Sequence, residues 1–450
     1  HVSARSMHRT LFIIPHELGP FPIFGVGWAL IILVAALGCR LAWAHRQFAR
    51  FGGAGDGRRS ENGPPTVAEV LSGEGIFWVI AAVLITLVLP RVELENAYGE
   101  PVGMAIRGYG VFLVCGVLSA VALAAWRTYR AGMDPELIFS LTPWVFGFGL
   151  FGARLFYVIQ YRDDYIGETL GETIKNMMAF TEGGLVVYGS FIGGFIGYLI
   201  FTRRNKIPML RFADAIVPCI FLGVFFGRIG CLLNGCCYGG RCEEGWAALR
   251  FPPITKIYQE QLSSGELLGM KFDPETRKIS SVTPGSIAAG LGIKENDVYE
   301  ADDFDRRPFK TADPGIPEEE VVPGWIMRIS GKTYVLSPQE LPDRALPVRA
   351  AQPISSISSL ILCVVLCTLS LYVRRTGALM FIGFASYAVL RFVLEIVRVD
   401  ELGQFNTSLT ISQWVSVVVF VLSIAGLVWL YFIAAENDED TTAASSEGSG

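Results

Sequence analysis

The sequence predicts an all-α polytopic membrane protein of about nine transmembrane helices carrying a small α+β insertion, and three observations predict it. Hydrophobic residues make up 52% of the 450 and charged residues 18%, against about 25% charged in a soluble domain. The apolar residues gather in blocks about 20 long, the length a helix needs to cross a bilayer core. Arginines and lysines fall in alternate loops between those blocks, as the positive-inside rule requires of a membrane protein. The net charge of −5 comes mostly from one loop region and the C-terminal tail, and no basic surface for nucleic acid emerges.

The predicted spans are 22–45, 74–91, 105–126, 139–160, 184–203, 212–234, 355–373, 377–397 and 411–433. The first imitates a signal peptide, with Arg5 and Arg9 ahead of it and Ala42-Trp43-Ala44 near its end. However, His16, Glu17, Gly19 and Pro20 separate the arginines from the run, and the run is too long for the apolar region of a signal peptide. It is read as an uncleaved span. The loops holding Arg46 and Arg50, Arg127 and Arg130, Arg203 to Arg211, and Arg374 and Arg375 alternate, so all face the cytoplasm together. This puts the N-terminus outside and the acidic tail, 434–450, inside; the tail is polar and of low complexity, a disordered composition.

A large polar piece, 242–352, interrupts the membrane pattern and falls outside by the same rule. Ile279 to Ala289 reads as strand, turn and helix start, and Ile326 to Lys332 as a strand ending in a turn. These segments resemble part of a PDZ domain, a fold that binds peptides by adding a strand to a sheet edge. The alternative is a loop with no binding role.

Three segments carry residues that apolar packing alone does not explain. In Gly227-Arg228-Ile229-Gly230-Cys231-Leu232-Leu233-Asn234-Gly235-Cys236-Cys237-Tyr238-Gly239, an arginine sits toward the outer end of a span. A buried arginine in a membrane is expensive and faces a polar cavity or an anionic partner, unless it snorkels to the interface. Tyr387, Arg391 and Glu395 are four apart and share one helix face. Two arginines from different spans can clamp a phosphate bidentately; the plainer alternative is a structural Arg391–Glu395 ion pair. In Glu182-Gly183-Gly184-Leu185-Val186-Val187-Tyr188-Gly189, the glycines suit close helix packing, but packing leaves the intervening tyrosine unexplained.

Taken together, these motifs resemble the prolipoprotein diacylglyceryl transferase family. Its signature reads Gly-Arg-x-Gly-Asn-Phe-x-Asn-x-Glu-x-x-Gly, and its Gly-Gly-x-x-x-His-Gly segment is similar to the run from Gly183 to Gly189. Its late Tyr-x-x-x-Arg-x-x-x-Glu helix is matched by Tyr387, Arg391 and Glu395, and the start of its first span by Arg107-Gly108-Tyr109. Arg154, Asp214 with Pro218, and Gln413 also fall in order, so the likeness covers 104 to about 433 apart from the insertion. The family core has seven spans. The resemblance therefore divides this chain into an N-terminal extension with two spans (1–103), a first core part of four spans (104–241), the insertion (242–352), three last spans (353–433) and the tail.

The resemblance implies transfer of a diacylglyceryl group from phosphatidylglycerol to the lipobox cysteine thiol of prolipoproteins, in the bacterial inner membrane. It implies Arg228 and Arg391 at the phosphate, Glu395 orienting Arg391, and Tyr188 standing where the family has histidine. Tyr109, Arg154, Gly183, Gly184, Gly189, Asn234, Gly239 and Tyr387 would line the headgroup site. No cofactor and no metal are implied. The chain departs from the signature at Cys231, Cys236 and Tyr188, which leaves the general base unassigned, since tyrosine's reference pKa is about 10. The field of the arginines then becomes the expected source of thiolate. Cys231, Cys236, Cys237 and Cys242 are expected as free thiols or a disulfide rather than a metal site. Two rival functions remain: a related transferase with another acceptor, and a lipid-binding scaffold that recruits partners through the insertion.

Overall fold

The computed structural model describes residues 10–18, 21–22, 31, 33–39, 42, 93–161, 184, 186–245, 247–273, 276–299, 306–309, 321–398 and 407–433. Most of the first predicted span, the second span, Gly183 and the acidic tail lie outside them. The chain forms two compact units, one from residues 1–108, 233–235 and 250–346, the other from 109–232, 236–249 and 347–450.

The first unit begins with β1 (Thr10–Pro15) and the short hairpin of β2 (Glu17–Leu18) with β3 (Phe21–Pro22), followed by β4 (Leu94–Glu95) and β5 (Pro101–Arg107). Strand β5 lies between β1 and β4, antiparallel to both. His16 reaches Glu93 at 2.6 Å beside this sheet. The strands correct the expectation of a purely helical N-terminal region. They also correct the third span, expected from 105: its first residues belong to β5, where the backbone pairs with Thr10–Pro15.

The second unit supplies the long helices. These are α1 (Gly108–Arg130), α2 (Glu136–Gln160), α3 (Val187–Arg204) and α4 (Met209–Asn234). After the insertion, whose neck is the two-stranded pair of β6 (Ala248–Leu249) with a later strand, the remaining long helices complete the unit.

The insertion contains α5 (Lys256–Ser263), β7 (Met270–Asp273), β8 (Lys278–Val282), α6 (Ile287–Gly290), β9 (Arg306–Phe309), β10 (Gly324–Ile329) and β11 (Lys332–Leu336). Strands β7 and β8 form a hairpin, and β10 pairs with β11 and β9. The strand, turn and helix start at 279–289 thus fall where the sequence places them. Strand β10 ends in the Ser330-Gly331 turn, where both residues have positive φ. The buried side chains of the insertion include Tyr258, Leu268, Met270, Ile279 and Met327, an ordinary apolar core.

Strand β12 (Val348–Arg349) closes the neck on β6, and the chain continues into α7 (Ala351–Leu369), α8 (Ala378–Arg398) and α9 (Ile411–Val428). Helices α7 and α9 are inverted relative to water-soluble helices. In α7, Gln352, Ser355, Ser356 and Ser359 are buried while Ile357, Ile361 and Val364 are exposed; in α9, Ser412, Gln413, Ser416 and Ser423 are buried while Val418, Val421 and Leu422 are exposed. Exposed apolar faces over buried hydroxyls are what a lipid solvent selects, since small and polar residues hold membrane helices together.

Among the described residues six helices are long and apolar enough to cross a membrane: α1, α2, α4, α7, α8 to Ile396, and α9 continuing to Phe432. Helix α3 covers the predicted fifth span but is not among the six; four glycines and the terminal Arg203-Arg204 dilute its apolar content. It packs against α2 at backbone contact. A Cβ added to Gly152 would lie 2.3 Å from the Gly189 carbonyl oxygen, and one added to Gly193 would lie 2.1 Å from that of Phe148.

One end of the bundle is tied by Arg127, at the end of α1. Its guanidinium donates to the carbonyls of Ala215 (2.9 Å) and Asp214 (3.1 Å) and to Ser370 Oγ (3.2 Å). The Asp214 carboxylate in turn accepts from the backbone N–H groups of Gly377 and Met380, filling the unpaired donors at the start of α8. Helices α4 and α8 therefore start side by side and run the same way.

Candidate active site

Two clusters form toward the other end. In the first, Arg391 pairs with Glu395 one turn on, and the Glu395 side chain is only 1% exposed. Arg391 Nη2 also donates to Ser412 Oγ at 2.9 Å. The Tyr188 hydroxyl lies 2.8 Å from the same oxygen. Thr410 Oγ1 donates to Glu395 Oε1 at 3.3 Å, and Thr410 with Gln413 forms the capping box that starts α9. Three of the predicted residues, Tyr188, Arg391 and Glu395, are thus brought together by one serine and one threonine that sequence reasoning did not single out. The signal available was weak: a Thr-x-x-Gln helix start with a serine inside it.

Arg154 and the glycines form the support beneath Tyr188. Arg154 is buried, donates to the Gly184 carbonyl at 3.2 Å, and lies over the Tyr157 ring. Gly184 has φ +77°, and a Cβ there would enter the Tyr157 ring. Val186 N–H bonds the Ala153 carbonyl at 3.1 Å. Gly189 is packed on Gly152. Together these contacts fix the start of α3 against α2, and with it the position of Tyr188.

The second cluster lies at the end of α4. Tyr109, at the start of α1, packs on Gly230, where a Cβ would come 3.1 Å from its ring. The sulfurs of Cys231, Cys236 and Cys237 all lie within 4.8 Å of one another. The turn that gathers them has Gly235 at φ +66° and Cys237 at φ +57°, the left-handed region that residues with a Cβ rarely adopt. Cys236 N–H bonds back to the Cys231 carbonyl at 3.1 Å. The amide of Gln352, a fully buried side chain, donates to the Cys236 carbonyl at 2.8 Å. Gly239 N–H bonds the Arg349 carbonyl at 3.0 Å. The Cys237 thiol, beyond the end of the span, is held below the usual thiol range. Hydrogen bonds from Cys231 and Cys236 act first, and the positive charges of Arg228 and Arg398 add to them. Asn234 is the last residue of α4.

Arg228 differs from Arg154 and Arg391. Among the described residues it has no hydrogen bond and no ion pair, and it is only partly buried. Helix geometry relates it to Arg391. Phe221 of α4 and Tyr387 of α8 are in ring contact, with centroids 5.4 Å apart. Arg228 follows Phe221 by seven residues and Arg391 follows Tyr387 by four, so each arginine stays close to the face that makes this contact. At 1.5 Å per residue the two lie about 10 and about 6 Å beyond it, in the same direction. An apolar groove of 420 Å³, lined by Pro143, Trp144, Gly147, Phe148 and Phe151, runs along α2.

Comparison with known proteins identifies the family. Residues 100–429 match the family model described as prolipoprotein diacylglyceryl transferase. A phosphatidylglycerol–prolipoprotein diacylglyceryl transferase of Rhodopirellula baltica is 43% identical over 94% of this chain and 89% of its own length. Proteins of the same name from Clostridium tetani and Frankia alni are 34% and 33% identical, over 31% and 34% of this chain and 54% and 42% of their own. The chain belongs to the prolipoprotein diacylglyceryl transferase family.

Proposed function

We propose that this chain transfers the diacylglyceryl group of phosphatidylglycerol to the lipobox cysteine thiol of prolipoproteins, at the outer face of a bacterial inner membrane. What supports this reading is that Arg228 on α4 and Arg391 on α8 both lie beyond the Phe221–Tyr387 ring contact, in the same direction and close to the face that makes it. Arg391 is oriented by Glu395 and Ser412, while Arg228 makes no hydrogen bond or ion pair among the described residues, which leaves its guanidinium able to receive an anion.

The thiolate sulfur attacks the glycerol carbon that bears the phosphate. The C–S bond forms, the C–O bond breaks, and its electrons leave on the phosphate of glycerol phosphate. Charge grows on that oxygen in the transition state, so preorganised cations aimed at it accelerate the step. Arg228 and Arg391 supply them. Tyr188 and Ser412 hold Arg391 in place, and Tyr109, Tyr387, Asn234 and Gly239 bound the headgroup. Arg154, Gly184 and Gly189 set the helix that carries Tyr188, and Gly183 joins the headgroup site on the family resemblance alone. The groove on α2 is apolar and open, suited to an acyl chain.

Orientation follows the charge rule. The Arg127 end of the bundle, together with Arg203, Arg204, Arg374 and Arg375, faces the cytoplasm. The two clusters, the N-terminus and the insertion then face outward, and the insertion offers the β10–β11 sheet to a peptide.

Donor specificity tests the reading. Purified protein in vesicles of phosphatidylglycerol is expected to release glycerol phosphate only with a lipobox peptide that keeps its cysteine. Release from phosphatidylcholine vesicles at the same rate, or with a cysteine-to-serine peptide, would overturn it.

A further inference from the structure

Cys231 and Cys236 stand where the family signature carries asparagine and glutamate, and the phosphate chemistry above uses neither. Both belong, with Cys237, to a group of three sulfurs within 4.8 Å of one another. A tetrahedral zinc site, with Zn–S bonds of about 2.3 Å, requires sulfurs roughly 3.8 Å apart. The observed group needs only a small contraction to reach that spacing. The turn that assembles it is itself unusual: Cys237 adopts φ +57° without being glycine, and such outliers cluster at functional sites. The turn is held from outside by Gln352 and from within by the Cys236-to-Cys231 backbone bond, so the thiols are gathered before any ligand arrives.

We propose that Cys231, Cys236 and Cys237 bind one soft d10 divalent cation, of the zinc class, as three thiolates, and leave its fourth position open to the sulfur of the acceptor cysteine. Three thiolates and one divalent cation sum to a single negative charge, which Arg228, three residues before Cys231 on α4, offsets. Three protein ligands with an open position are the pattern of catalytic rather than structural zinc. A thiol that coordinates such a cation is deprotonated outright, so the acceptor's proton passes to water and the bound thiolate is the nucleophile. The departures from the signature then exchange a carboxylate base for a metal that performs the same deprotonation. This role for the fourth position rests on the proposed transfer reaction; the three-thiolate site does not. It also reverses the sequence expectation of no metal.

The test uses the full-length protein, purified in detergent without chelator and titrated with cobalt(II) under anaerobic conditions. The expected result is about one cobalt per chain, with a thiolate-to-cobalt charge-transfer band and tetrahedral ligand-field intensity. Addition of zinc should displace it. Cys237→Ser and Cys231→Ser should each weaken binding by about 100-fold or more, and Cys242→Ser should leave it unchanged. A lipobox peptide should intensify the charge-transfer band, and the serine peptide should not. A disulfide among the three cysteines in the freshly purified protein, or absence of the band with all three thiols free to alkylation, would overturn the site. A band that the cysteine peptide leaves unaltered would overturn the open position. Peptide binding at the metal without lipidation would instead count against the transfer reaction, so the two failures are distinct.

Discussion

Tyr188 of α3 and Arg391 of α8 meet on a single oxygen, Ser412 Oγ of α9, at 2.8 and 2.9 Å. Three helices are thereby joined at the residue that orients the guanidinium proposed to stabilise the leaving phosphate. Ser412→Ala removes the shared partner while leaving the Arg391–Glu395 pair. Loss of a hydrogen bond to a charged group corresponds to about 1.5–3 kcal/mol, so turnover is expected to fall by about 10- to 100-fold. Tyr188→Phe should fall less, and the double variant should lose less than the sum of the two, because both act through one hydroxyl. Initial rates of peptide lipidation for the four proteins measure this coupling.

The two arginines differ in what else they hold. Arg391→Ala strands Glu395, whose side chain is 1% exposed, and breaking a buried pair on one side costs about 3–5 kcal/mol. Arg228→Ala strands no partner. Thermal unfolding in detergent should therefore show a clear loss for Arg391→Ala and almost none for Arg228→Ala, while both lose about 100-fold or more in turnover. Equal destabilisation by the two would contradict the assignment of Arg228 as the guanidinium kept free for substrate.

Gly152→Ala tests the support beneath Tyr188. Its new methyl would lie 2.3 Å from the Gly189 carbonyl oxygen, and backbone cannot rotate away as a side chain can. Overpacking of this kind costs about 1–3 kcal/mol. The protein should be less heat-stable, and its turnover should fall because Tyr188 precedes Gly189 on the displaced helix. Gly110→Ala, where a Cβ meets nothing within 4 Å, is the control.

The insertion carries a separate pH dependence. Burial, with the nearby Asp343 adding to it, pushes the Tyr258 phenol up to about 12, against an ordinary value of 10, and its hydroxyl donates to the Pro342 carbonyl at 2.8 Å. The folded state thus keeps a proton that the unfolded chain releases. Its contribution is full below the unfolded value near 10 and is lost as pH rises toward 12. Unfolding of the insertion between those values should be steeper in the wild type than in Tyr258→Phe. That variant should also lose about 1 kcal/mol at neutral pH from the missing hydrogen bond. Near-ultraviolet absorbance and circular dichroism read both.

Much of the candidate site was legible because its residues sit at helical spacing in an apolar context. Arg391 and Glu395 declare a shared face by their four-residue separation, and Arg228 declares itself by its cost in a span. Ser412 was not legible, since serines recur throughout α7 and α9 as packing residues and nothing local distinguishes the one that meets an arginine. Gln352 was equally silent, because its partner, the Cys236 carbonyl, lies 116 residues away in sequence. The β1–β5 sheet escaped for a different reason. Its strands are apolar runs adjoining apolar spans, and a short apolar run does not separate strand from helix by periodicity. The thiol cluster was visible as a count of cysteines, but its convergence depends on a left-handed turn at Gly235 and Cys237 that spacing does not reveal.

The proposed transfer depends on two arginines that stabilise the phosphate as it leaves and the diacylglyceryl group passes to a cysteine thiol. The most direct measurement follows lipidation of a lipobox peptide by mass spectrometry, in phosphatidylglycerol vesicles, for the wild type and for Arg228→Ala at saturating peptide. The wild type is expected to give a lipidated peptide and an equal amount of glycerol phosphate, with turnover at least about 100-fold lower in the variant. A folded Arg228→Ala protein that lipidates the peptide at the wild-type rate would contradict it.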